Sequence, residues 1–268
     1  LDPDPVVERA AYFKPSGQWR YALLTGVLAV IAGSVLLAYS CPSISPWQWT
    51  IQAGLVTAYI LYLLRLNLKL NRRREDQSQQ SSLGAANWIT LSRGGLIAFL
   101  AGFLLQPWPG RTIGFRWTMW MPGIIYMLAS LGDFLDGYVA RMTVNKTLLG
   151  ELLDIRIDAL GILVASLLAI TYGQLPVFYI SAGLAYYILR FAVWLRRKIG
   201  RPCSEVRRRA GARILAGVQM AFLGVVLLPL LSASISKIAA VFFLIPFLAG
   251  FLVDWQMVCR HATSPQIN

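Results

Sequence analysis

Asp133, Asp136, Asp154 and Asp158 hold most of the chemistry this chain offers. They fall within 26 positions, inside or beside strongly apolar runs, and they are a third of the 12 acidic residues present. A carboxylate at membrane depth costs about 2.5–3.5 kcal/mol on insertion scales, so four together call for a compensating ligand. Asp133 and Asp136, at i and i+3, share one helix face; Asp154 and Asp158, at i and i+4, share another. The polar stretch between the pairs, RMTVNKT, is short enough to reverse the chain. The two acidic faces can then meet across an antiparallel helix pair. With no His or Cys nearby, this oxygen-only set suits a hard cation, Mg²⁺ or Mn²⁺, rather than zinc or copper.

The neighbouring glycines and arginine extend that reading. Gly137 follows Asp136 directly, and Gly150 stands four residues before Asp154. Both cost helix propensity, and both clear space for a ligand or a neighbouring backbone. Arg141, at i+4 from Gly137 and i+8 from Asp133, sets a cationic fork on the same face. Carboxylates that hold metal ions, a glycine clearing and an arginine together describe a receptacle for a diphosphate.

The whole pattern, Asp-x2-Asp-Gly-x2-Ala-Arg-x8-Gly-x3-Asp-x3-Asp, resembles the signature of the CDP-alcohol phosphotransferase family. Asp133, Asp136, Gly137, Ala140, Arg141, Gly150, Asp154 and Asp158 fill its eight fixed positions without a change of spacing. The resemblance implies an integral membrane homodimer that moves a phosphoalcohol group from a CDP-linked donor to an alcohol and releases CMP. It implies two divalent ions held by Asp133, Asp136, Asp154 and Asp158, with Asp158 as general base. Gly137, Ala140 and Arg141 are implied to face the cytidine and its phosphates, with Asp133 and Gly150 in the same donor site. Asn87, Thr90 and Arg93 are similar to an entry motif that the family associates with the nucleotide. Read from the residues alone, those three are equally an N-cap, a back-bonded threonine and a snorkelling arginine.

These side chains need a membrane scaffold. The 268-residue chain is 57% hydrophobic and 14% charged, with a mean hydropathy of +0.58, too apolar for a soluble domain. Apolar runs of spanning length occur at about 21–40, 47–66, 88–106, 117–140, 149–171, 174–195, 211–231 and 234–256. The expected fold is all-α, a polytopic helix bundle of about eight spans, since no alternating strand pattern competes. The last six runs match the helix count of the family's catalytic core. The expected divisions are an interfacial segment at 1–20, a two-helix extension at 21–66, an exposed linker at 67–86, the core at 87–258 and a tail at 259–268.

Lys and Arg set the orientation. With both termini on one side, that side collects 22 of the 25 basic residues, leaving Arg111, Arg116 and Lys237 opposite. Both termini and the acidic site are therefore expected on the cytoplasmic side. The net charge of +13 lies in the connectors, where topology and anionic lipid explain it, and nucleic acid is not an expected partner.

Arg207, Arg208 and Arg209 precede the seventh run, and Arg213 lies one turn inside it. Arg207 and Arg208 read as topology signals; Arg209 and Arg213, at i and i+4, are suited to gripping a phosphate on the acceptor. With CDP-diacylglycerol as donor, that favours glycerol 3-phosphate over inositol phosphate or a neutral alcohol. The reverse arrangement, CDP-choline or CDP-ethanolamine donating to diacylglycerol, stays open. A divalent-cation or proton-coupled transporter would also use intramembrane acids, but no internal repeat is found and the acids cluster towards one side. An inactive scaffold would have no need of intact acids at every ligand position. Gln219 reads as a hydrogen bond within the bundle. Glu151 and Arg156 fall on other helix faces than the motif acids. Cys41, Cys203 and Cys259 form no metal-ligand pattern, and His261 sits in the polar tail.

Overall fold

Eight α-helices follow the order of the apolar runs. The computed structural model describes residues 15–73, 80, 82–110, 116–142, 147–201 and 210–260. The helices are α1 (Pro15–Ser40), α2 (Pro46–Asn67), α3 (Gly84–Ala101), α4 (Met121–Met142), α5 (Leu148–Thr171), α6 (Ile180–Lys198), α7 (Ala210–Val226) and α8 (Ala233–Arg260). Short 3-10 turns cover Leu68–Leu70, Arg116–Trp120 and Val177–Tyr179. Among the described residues there is no strand, and one isolated antiparallel bridge joins Arg73 to Thr147.

Local chemistry sets the helix ends. Pro46 opens α2, where a missing N–H costs nothing. After α5, Gly173 takes φ +74° and the Gln174 N–H reaches back to Ala169 O at 2.9 Å, closing the helix with a left-handed turn. Gly200 does the same after α6, with Arg201 N–H donating to Arg196 O at 3.1 Å.

Four helical stretches are long and apolar enough to cross a membrane: Gly17–Ser40, Pro46–Leu70, Val177–Lys198 and Ala233–Cys259. Gly211–Val226 is apolar but shorter. The eight apolar runs thus become eight helices, while half of them meet the composition of a span among the described residues. The reason is plain for α5, which carries Glu151, Asp154, Arg156 and Asp158 within its first half. Outward faces are oily: Leu28 on α1 is 62% exposed and Phe242 on α8 is 73% exposed. Water would penalise such surfaces, and a bilayer solvates them.

Helix α3 is the column around which the site is assembled. It packs against α2, α4 and α5; α7 packs on α4, α5 and α8, and α6 on α5 and α8. A Cβ on Gly94 would lie 3.2 Å from the side chains of both Ile60 and Ile157, so α2, α3 and α5 close in at this glycine. Trp49 of α2 stands edge-on to Phe99 of α3 at 4.6 Å between centroids.

The N-terminal pair is joined to this column by more than apolar contact. Within the pair Trp19 Nε1 donates to Leu61 O at 3.2 Å, and across to the start of α3 the Leu83 N–H donates to Gln18 Oε1 at 2.6 Å. The linker was expected to be exposed, yet its two ends are built in. Leu68, Asn71 and Leu83 are buried, and Leu148 N–H donates to Arg72 O at 3.0 Å. Exposure fails there because the chain passes directly over the entry to α5.

Candidate active site

Helices α4 and α5 bring Asp133, Asp154 and Asp158 together. One carboxylate oxygen of each lies within 4.8 Å of the others. The side chains are 32%, 17% and 16% exposed respectively. The guanidinium of Arg93, on α3 and 2% exposed, meets all three. Its Nη1 lies 2.9 Å from Asp154 Oδ1 and 3.6 Å from Asp133 Oδ1, and its Nη2 lies 2.5 Å from Asp158 Oδ1. Nε donates to Ala129 O at 3.0 Å. Gly132 gives the side chain its path, since a Cβ there would come within 2.6 Å of Arg93 Cγ. Three clustered carboxylates repel one another, and the planar fork of one arginine offsets part of that repulsion while fixing two of them in register.

The entry to α5 is fixed just as closely. Thr147 is its N-cap, with φ −101° and ψ 149°, and its hydroxyl accepts from Gly150 N–H at 3.0 Å. Asn87 of α3 presses against this cap. Asn87 Nδ2 donates to Thr147 Oγ1 at 3.2 Å, and the Thr147 hydroxyl donates to Asn87 Oδ1 at 3.3 Å. Any Cβ on Gly150 would overlap Asn87 Oδ1, so glycine is required for the close approach.

The three acids open onto a cavity of about 790 Å³. Asn87, Thr90, Thr147 and Gly150 share their wall; Ile214, Val218, Phe247 and Phe251 of α7 and α8 make an apolar wall, with Arg213 and Asp254 also lining the space. A second cavity, of about 480 Å³, is lined by Trp108, Tyr172 and Gln174 among others, with no charged side chain among the described residues.

A family model for CDP-alcohol phosphatidyltransferases matches residues 83–251, more than half of the chain and all of the acidic site. The chain belongs to this family. No curated protein and no solved structure matches it. Membership makes the chain a transferase of phosphate-containing groups that works on a CDP-alcohol donor and an alcohol acceptor, and its apolar helices make it an integral membrane protein.

The family is typically dependent on a divalent metal, and the donor set fits one. Asp133, Asp154 and Asp158 offer only oxygen, lie within ligating distance of one another and line the cavity, whereas Arg93 does not line it. Of the other motif residues, Gly150 lies on the cavity wall. Asp136, Gly137, Ala140 and Arg141 fall in the last turns of α4, with side chains outside the described residues. Arg209 is also outside them, and Arg213 lines the cavity from the first turn of α7.

Of the entry motif, Asn87 and Thr90 line the cavity, and Thr90 also bonds back to Ala86 O at 3.1 Å. Gln219 makes the expected bundle contact, donating to the Tyr179 hydroxyl. Glu151, expected on another face, lines the cavity, because it stands three residues before Asp154 and seven before Asp158 and so shares their side of α5. Sequence reasoning missed Asp254, 8% exposed on α8 and on the cavity wall. Its one signal was an acid placed near the end of an otherwise apolar run.

Proposed function

We propose that this chain transfers a phosphatidyl group from CDP-diacylglycerol to a small polar alcohol, with glycerol 3-phosphate the first candidate, and releases CMP. The reading rests on one observation: Asp133, Asp154 and Asp158 converge on a cavity that Ile214, Val218, Phe247 and Phe251 of α7 and α8 also line with apolar side chains. A CDP-linked lipid has the same division, with a charged diphosphate at one end and hydrocarbon at the other.

In this reading Asp133, Asp136, Asp154 and Asp158 hold the divalent ions, Mg²⁺ or Mn²⁺. Bound there, such ions would supply positive charge against the diphosphate and the departing phosphate. Asn87, Thr90, Gly137, Ala140, Arg141 and Gly150 orient the donor. Arg93 belongs behind the acids, holding Asp154 and Asp158 in register. Asp158 takes the proton from the acceptor hydroxyl. The hydroxyl oxygen then bonds to the lipid-side phosphorus, the bond from that phosphorus to the bridging oxygen breaks, and CMP departs with the electron pair. Arg213, with Arg209, grips the acceptor's phosphate, as two cations at helical spacing suit an anionic rather than a neutral alcohol. The 22:3 division of basic residues supports a cytoplasmic site and cytoplasmic termini. Eight spans, a six-helix core and a homodimer complete the proposal.

The test is CMP release by purified protein from CDP-diacylglycerol with a panel of alcohols: glycerol 3-phosphate, inositol phosphate, inositol and serine. Release with glycerol 3-phosphate, abolished by chelation and restored by Mg²⁺, is the expected result. Release with a neutral alcohol in preference would overturn the acceptor assignment, and no release with any would overturn the donor.

A further inference from the structure

The segment that follows α2 lies outside the family-matched residues, yet it reaches the donor wall. Asn71, just after the 3-10 turn at Leu68–Leu70, is 0% exposed. Its Nδ2 donates to Ser82 O at 2.9 Å and to Gln80 O at 3.3 Å. With both amide hydrogens committed, its Oδ1 is left to face Asn87, and it accepts from Asn87 Nδ2 at 3.3 Å. That contact decides which way round the Asn87 carboxamide sits. The amide end of Asn87 donates to both Asn71 Oδ1 and Thr147 Oγ1, and its oxygen is left to face Gly150 and to accept from the Thr147 hydroxyl at 3.3 Å. The next residues strengthen the attachment: Leu148 N–H donates to Arg72 O at 3.0 Å, and Arg73 bridges to Thr147.

Asn87, Thr147 and Gly150 line the cavity, and Asn71 does not. We infer that Asn71 is a positioning residue for the CDP-linked donor, supplied by the N-terminal helix pair and acting through Asn87. The inference rests on the proposed reading of Asn87 as part of the donor site. It gives the first two helices a role in the reaction. They carry a buried carboxamide to the place where α3 and α5 meet, and that carboxamide fixes the face offered to the nucleotide.

A double-mutant cycle on the full-length protein in detergent or nanodiscs tests it, with CDP affinity read by calorimetry in Mg²⁺ and KM read for donor and acceptor separately. Asn71→Ala is expected to raise the donor KM and the CDP Kd on the order of tenfold, the usual consequence of leaving a buried amide unsatisfied. The acceptor KM should not move. Because Asn71 acts through Asn87, the pair Asn71→Ala with Asn87→Ala should bind CDP no more weakly than Asn87→Ala alone. Trp49→Phe, which loosens α2 on α3 without touching this network, should lower Tm while leaving the donor KM at its wild-type value. Asn71→Ser serves the same cycle if the alanine variant fails to fold. Additive losses, an unchanged donor KM in Asn71→Ala, or a donor KM that rises equally in Trp49→Phe would each overturn the inference. If Asn87→Ala itself leaves the donor KM unchanged, the donor reading of Asn87 fails, and the inference fails with it.

Discussion

Arg93 shows how much one side chain decides in this site. Its guanidinium reaches three carboxylates from a position 2% exposed, using separate nitrogens for Asp154 and Asp158. Lysine has one ammonium and no planar fork, so it cannot hold both acids in one register. Arg93→Lys is therefore expected to weaken Mn²⁺ binding by about 10–100-fold, the usual effect of losing a partner that orients metal ligands. Titration calorimetry with Mn²⁺ alone reads this without turnover; an affinity equal to wild type would show that the arginine has no hold on the ligand geometry. The sequence made the acids legible, because their spacing declares shared helix faces. Arg93 was legible as a functional position but not as their partner, since a contact from α3 to α5 crosses more than 60 residues. Asp254 was hidden for the same reason.

At the scale of elements, the entry to α5 carries the site. Thr147 caps the helix, receives Asn87 and precedes Gly150 and Asp154 by less than two turns. Thr147→Val keeps the shape and removes the hydroxyl. It should cost about 1 kcal/mol of stability for the lost cap and lower CDP affinity as well, because Asn87 loses its neighbour. Thermal unfolding and CDP binding measured together check this, and a loss of stability without a loss of affinity would confine Thr147 to a structural role. The helices themselves were readable from the apolar runs, whereas the ends at Pro46, Gly173 and Gly200 emerge from the structure. The buried ends of the linker were not, because a polar, Gln- and Ser-rich stretch carries no local sign that Asn71 finds three partners inside the bundle.

The molecule as a whole is a helical bundle with an oily exterior and a charged chamber. Its proposed orientation predicts that, with the native cysteines replaced by serine, Thr263→Cys reacts with an impermeant maleimide only from the cytoplasmic face. Lys237→Cys should react only from the opposite face; the reverse pattern would invert the topology. Among the native thiols, Cys41 should label slowly. Burial raises its pKa, with a hydrogen bond to Thr118 partly opposing, so less thiolate is present at any given pH. Alkylation of Cys41 at the rate of a free thiol near pH 8 would contradict that environment. The most direct test of the chamber is CDP binding by calorimetry, comparing wild type with Asp154→Asn, each in Mg²⁺ and in chelator. Saturable binding that requires Mg²⁺ in the wild type and is lost in Asp154→Asn is the expected result. Binding that is indifferent both to chelation and to the loss of that carboxylate would contradict a metal-held diphosphate.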